Sequence, residues 1–545
     1  MRPAVIYTIG SPRASGTLAA MSYLDRSSRV WIWCGWTAVA ALSCAWVSEA
    51  AAGPVPVSTV AELQAAVANA APGDEIILAP GNYLLPNKLS CVNDGTADQR
   101  IIIRADNLGD AVVQMDNVEG FHVQGAYWEF ANLDIEGVCA NDNNCEHAFH
   151  VTGDADGTWI HHNVVHGFNA QLKANGTETG PNGERVWPDD VVVEYNEMYN
   201  PAARQTGNPV TPIDVVGGRR WIVRGNFIHD FAKGGGNNIS YAAFLKGNSR
   251  DGVFERNLIV CEHLHTGQIR LGLSFGGGGT GPDSICEDMT CNPEHQDGIM
   301  RNNIIARCPT DVGIYVNEGQ NSLIYNNTLY DTTGIDMRFA TTTGEVRNNL
   351  MTGQIRNRDG STANFASNLQ MASNGDFQAW FTDPDALDFS LVDGSMFVDQ
   401  GESLAEVIDD YCTNIRDDGT HDLGALEFDG DGTCDTSKPP EGGGDGDGDG
   451  DGDGDGDTGD GDGDSGDGDG DPGDGDGDPA GDGDGDGGGD GDTDGGGETA
   501  GTDGAANEGG SGEGCSCSAQ PARDRGGLML LAGLGLLGLR RRRRS

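Results

Sequence analysis

The chain has 545 residues and a formal net charge of −52, with 85 acidic against 33 basic side chains. Such a balance argues against a nucleic-acid partner, because phosphate binding needs a basic face. Many of the 86 glycines alternate with aspartate near the C-terminus, where nothing apolar is available to build a core.

In chain order, Arg26 and Arg29 precede the apolar run "VWIWCGWTAVAALSCAWV" and then small residues that include Ala50 and Ala52. Residues 1–52 therefore read as a secretory signal region, with Met21 as an alternative start. Export would place the cysteines in an oxidising compartment. Nine of them fall between Cys91 and Cys434; Cys139/Cys145 and Cys286/Cys291 are the closest staples, and the odd count leaves one over.

Residues 53–430 carry the folded domain. Thr59-x-x-Glu62 is a capping box that opens the helix "VAELQAAVANA", and "PGDEIILAPGNY" follows as turn, strand and turn. A repeat then sets in. "WIHHNVV", "VVEYNEM", "IVRGNFI", "VFERNLI", "IMRNNII", "LIYNNTL" and "EVRNNLM" place Asn163, Asn196, Asn226, Asn257, Asn303, Asn327 and Asn349 between strand residues. Their spacing, roughly two to three dozen residues, is the period of a parallel β-helix coil. The longer gap from Asn257 to Asn303 holds an inserted loop, "FGGGGTGPDSICEDMTCNPEHQDG". The expected fold is all-β, a parallel β-helix solenoid with an N-terminal capping helix and the seven asparagines stacked as a structural ladder. The capping helix and first strand resemble the N-terminal cap of pectin-lyase-like right-handed β-helices. "DFSLVDGSMFVDQG" and "HDLGALEFD" resemble the terminal coils of bacterial β-helix repeat proteins.

Strand alternation sorts the remaining side chains. Ile213 and Val215 are expected inside with Asp214 outside. Tyr241, Ala243 and Leu245 are expected inside, with Phe244 and Lys246 outside. The same rule turns out Lys173, Arg270, Tyr315, Asn317, Asp336 and Arg338, and would make Lys246 and Arg270 neighbours on consecutive coils. β-Elimination of a uronic-acid polymer needs a base for the C5 proton, a cation against the adjacent carboxylate and a proton for the leaving oxygen. "LKGNSRDGVFERNLIV" followed by "GQIRLG" resembles the family 6 polysaccharide lyases, the chondroitinase B and alginate lyase group. The resemblance implies Lys246 as base and Arg270 as acid or charge neutraliser. Lys173, Asp214, Phe244, Tyr315, Asn317 and Arg338 become candidate substrate-binding residues.

No metal ligand set is evident. Family members that use Ca²⁺ place acidic ligands just before the lysine, where this chain has Asn237, Asn238, Ser240 and Tyr241, with Asn208 near an expected asparagine ligand. Ca²⁺ is thus the cofactor open to the chain without being fixed by it. His161, His162 and His166, or His263 and His265, are weaker metal candidates, and Asp214 with Asp336 would be the carboxylate pair of a glycosidase.

Residues 431–514 form a Gly/Asp-rich acidic linker with the composition of a disordered, self-repelling spacer. Residues 515–545 hold Cys515, Cys517, a short apolar stretch and an arginine cluster, and resemble the myxobacterial C-terminal sorting signal. The expectation is an exported monomer held at the cell surface or outer membrane through this anchor alone, or released from it. It would cleave an acidic polysaccharide by β-elimination, the alternative being a non-catalytic carbohydrate-binding or adhesin solenoid.

Overall fold

The computed structural model describes residues 53–417, 419–428 and 434–440. The signal region, most of the linker, Cys515 and Cys517 lie outside the described residues.

The coils stack as a right-handed parallel β-helix, the hand that parallel crossover connections take. Each full coil contributes one strand to each of three long sheets. One coil runs through Val192–Glu194, Glu197–Tyr199 and Ile213–Val216; the next repeats it as Ile222–Arg224, Phe227–His229 and Ile239–Lys246. We call these the first, second and third sheets; they contain 12, 10 and 10 strands respectively.

Period-two alternation drives this winding. Along the first sheet Ile160, Val193, Val223, Phe254, Met300, Ile324 and Val346 lie in register, one above another. All are fully buried, each worth about 1.5–3 kcal/mol relative to exposure. Helix Val60–Asn69 seats Leu63 and Val67 in the first coil's core, and the Thr59 hydroxyl accepts from Glu62 N.

A sharp bend joins the first and second sheets. Tyr195, Arg256, Asn302, Asn326 and Asn348 hold left-handed backbone there, at φ between 49° and 56°, which costs a non-glycine residue about 1–2 kcal/mol. The asparagine that follows each bend offsets this cost. Asn226 Nδ2 donates to Val193 O on the preceding coil at 2.8 Å and to Asn257 Oδ1 at 3.1 Å, while its own Oδ1 accepts from Asn196 N. The same pattern runs from Asn163 through Asn196, Asn226, Asn257, Asn303, Asn327 and Asn349, and Asn368 adds an eighth rung.

The C-terminal part departs from the expected terminal coils. Asp388–Leu391 pairs antiparallel with Phe381–Asp383. Phe377, Phe381, Phe389, Phe397 and Tyr411 pack on Leu258, Val260, Ile304, Ala306 and Tyr330, the outward residues of the second sheet. These aromatics cover an apolar outer face of the solenoid. Among the described residues four disulfides form, Cys139–Cys145, Cys261–Cys308, Cys286–Cys291 and Cys412–Cys434, and Cys91 stays as a buried thiol.

Candidate functional site

The outer face of the third sheet carries a register column of polar groups. His122, His150, Lys173, Asp214, Phe244, Ser274, Tyr315, Asp336 and Arg356 occupy the same position on successive rungs. Lys173 Nζ donates to Asp214 Oδ1 at 2.7 Å. Burial acts to raise the Asp214 pKa, but Lys173 and then Lys246 outweigh it and hold the carboxyl below its ordinary value. One nearly buried carboxylate is thus flanked by two ammonium groups, one from the preceding rung and one from the following rung.

Lys246 ends its strand at the mouth of the inserted loop. Its Nζ donates to Gly279 O at 3.1 Å and lies 4.4 Å from the centre of the Phe244 ring. The loop is fixed by Glu294, whose carboxylate accepts from Gly247 N and the Thr280 hydroxyl, and whose pKa burial pushes upward. Gly277, at φ 51°, runs its backbone over Phe244 so closely that a Cβ would lie 3.0 Å from the ring. A cavity of about 430 Å³ opens beside this loop, lined by residues that include Gly279, Thr280, Asp283, Asn292, Glu294 and Glu318.

Arg270 is not part of this group. Ser240, not Lys246, is its register partner, so six residues of strand, about 20 Å, separate the two expected neighbours. Its side chain is 1% exposed and turns inward, donating to Gly267 O at 2.9 Å and Cys261 O and lying 3.6 Å from Asp230. Burial lowers its pKa, opposed by Glu262 and Asp230. The following coil meets Lys246 near Gly276 instead. Simple alternation failed here because Ala242 and Ala243 are both fully buried in one strand. Tyr241, expected inside, therefore joins Phe244 on the outer face, with ring centroids 5.6 Å apart.

The other candidates divide. Phe244 is 3% exposed and Tyr315 7%, packed with Leu271 and Val312, so neither presents a ring face to a sugar. Asn317 holds the loop, its Nδ2 donating to Gly277 O at 2.9 Å. Arg338 stays partly exposed, paired with Asp359 at 2.5 Å and reaching the Tyr315 hydroxyl at 3.4 Å. Asp336 is buried between Arg356 and Arg358. It stands four rungs from Asp214, about 19 Å, beyond the reach of a glycosidase carboxylate pair.

The side chains that stand where calcium-using lyases place their ligands are already engaged. Asn237 Oδ1 already accepts from the Lys233 ammonium at 3.0 Å and Ile239 N at 3.1 Å. The Ser240 hydroxyl donates to Ile269 O, and Asn208 directs its amide nitrogen at Glu146. An ammonium bound where a cation would sit leaves no set of free oxygens. The histidine candidates are likewise engaged: His161 faces His162 and Glu129, His166 pairs with Asp134, and His265 bonds Arg270. Glu294 and the pair His122/His150 escaped the sequence reading. Only the coil period, which puts residue 150 above residue 122, could have flagged the histidines.

The Pel9A-like right-handed β-helix family matches residues 47–200. Among solved structures, the chain resembles the pectate lyase Pel9A, with 15% identity, 67% of this chain and 90% of that chain covered, and a TM-score of 0.46. An alginate lyase from Paenibacillus sp. gives 18% identity, 59% and 96% coverage and a TM-score of 0.31. A rhamnogalacturonan lyase gives 12% identity, 59% and 85% coverage and a TM-score of 0.39. No curated protein matches.

Proposed function

We propose that the chain is an exported, surface-anchored polysaccharide lyase that cleaves a uronic-acid polymer by β-elimination on the outer face of the third sheet. Lys173 and Lys246 flanking Asp214 carry this reading. Two lysines converge on one carboxylate, and we assign the base to Lys246, the one that stands at the loop mouth.

Neutral Lys246 takes the C5 proton. The electron pair forms the C4–C5 double bond as the C4–O bond breaks, and the Lys246 ammonium so formed returns its proton to the leaving oxygen. Lys173, whose side chain is 19% exposed, is the cation that faces the substrate carboxylate in place of Arg270. Four disulfides support an oxidising compartment.

Ultraviolet absorbance of unsaturated uronate product tests the reaction, with the full chain and alginate, chondroitin, dermatan or pectate as substrate. A rise that Lys246→Ala abolishes in a folded protein is expected. Absence of a rise on every polymer sinks the lyase reading. One observation favours a second reading, a displayed acidic-carbohydrate binder: the coil after Lys246 offers Gly276 rather than a cation. In that case polymer is retained without being cleaved, and Arg338→Ala weakens retention more than Lys246→Ala.

A further inference from the structure

We propose that Glu119, His122 and His150 form a binding site for a divalent transition metal of the zinc type, with one coordination position left to water. The three residues come from adjacent rungs, Glu119–Val123 and His147–Thr152, at the start of the polar column. One ligand atom from each lies within 4.8 Å of the others.

Hydrogen-bond bookkeeping leaves a gap to fill between His150 and Glu119. His150 Nε2 is 2.8 Å from Asn175 Oδ1, and Asn175 Nδ2 donates to Gly176 O, which fixes the amide's orientation. Asn175 Oδ1 only accepts, so Nε2 carries the proton. In neutral His150 the Nδ1 lone pair then faces Glu119 Oε1 at 3.1 Å. Two acceptors so close require a proton or a metal between them.

His122 separates these alternatives. Its Nε2 lies 3.2 Å from Thr152 Oγ1 and its Nδ1 lies 4.0 Å from Glu119 Oε2, so it repeats the His150 arrangement one rung earlier. The two rings stack, with centroids 5.2 Å apart. Two imidazolium rings so stacked would repel. A single extra proton therefore serves His150 alone, whereas a divalent ion uses both Nδ1 lone pairs and the carboxylate together.

The geometry suits zinc. Ligands at 2.0–2.2 Å in a tetrahedron stand about 3.4 Å apart, between the two observed His–Glu separations. Asn175 Oδ1 at the distal nitrogen of His150 and the Thr152 hydroxyl at that of His122 orient the rings, as such partners do around metal-bound histidines. Two imidazoles and one carboxylate favour a borderline metal over Ca²⁺, which prefers an all-oxygen shell. Lys88 Nζ, 3.0 Å from Glu119 Oε2 on a side chain 47% exposed, competes for the carboxylate and can swing away.

Zinc titrated calorimetrically into the metal-stripped full chain tests the site. One equivalent is expected to bind, with affinity falling at least about 10-fold in His122→Ala and in His150→Ala and about 10-fold in Asn175→Ala. Lys88→Ala, an exposed change, is expected to tighten binding a few-fold, and Lys246→Ala to leave it unchanged. The Co²⁺-loaded chain should show a visible ligand-field band that the His122→Ala/His150→Ala variant lacks. No saturable zinc binding overturns the proposal. So does affinity that is equal in the wild type and the folded double variant, which would place the ion elsewhere.

Discussion

Asp214 takes a 2.7 Å hydrogen bond from Lys173 on the preceding rung and also feels the charge of Lys246 on the following one. This sharing predicts a pH signature. The folded pKa is depressed, so the stabilisation is fully present above the ordinary carboxylate value of 3.8 and is lost as pH falls through the lower folded value. Asp214→Asn leaves two ammonium groups against a neutral amide. It should cost about 2–3 kcal/mol at pH 7, between the values for exposed and buried pairs. Urea midpoints of the two proteins should converge as the pH is lowered below 3.8; a gap that persists unchanged at acid pH contradicts the ionic account.

Lys246 and Arg270 should separate cleanly in experiment. Lys246 ends a strand at the loop mouth, so Lys246→Ala should remove turnover while shifting thermal stability little. Arg270 is 1% exposed and bonded to Gly267 O and Cys261 O. Arg270→Ala leaves those carbonyls and Asp230 without their cation and should cost about 3–5 kcal/mol. Equal melting temperatures for Arg270→Ala and wild type would show the side chain to be dispensable to the fold.

The ladder predicts a position-dependent cost. Asn257 Nδ2 donates to Val223 O and Asn303 Oδ1, and its Oδ1 accepts from Asn226 N. Asn257→Ala strands several buried groups and should cost about 3 kcal/mol or more, at 1–3 kcal/mol for each unsatisfied group. Asn368, partly exposed at the last rung, should cost less than half as much when changed to Ala. Denaturant titrations of both variants measure the difference, and equal losses would argue against the ladder as a buried network.

The repeat was legible because an asparagine after each bend is a local signal repeated coil after coil. The site was less so, since it depends on register between coils, which strand patterns fix only when alternation is strict. The two buried alanines, Ala242 and Ala243, broke that alternation. They put Tyr241 outside, while a constant offset between the two strands sets Arg270 opposite Ser240. Lys173 and Asp214 were found individually, but only paired rungs show that they touch. His122 and His150, 28 positions apart in sequence, meet for the same reason.

The disulfides differ in what they constrain. Cys261–Cys308 closes a separation of 47 residues around the inserted loop, whereas Cys139–Cys145 closes only 6. In the chain-entropy account the longer closure contributes about 4 kcal/mol and the shorter about 2 kcal/mol. Cys261 follows the strand Leu258–Val260 and Cys308 ends the strand Ile304–Cys308 paired with it, so the bond ties two adjoining rungs of the second sheet. Replacing both with Ser should therefore lower stability roughly twice as much as replacing Cys139 and Cys145. It should also speed hydrogen exchange across residues 262–307 ahead of the rest of the solenoid. Equal losses for the two pairs, or uniform exchange along the chain, would show that the coils on either side already hold the insertion without the bond.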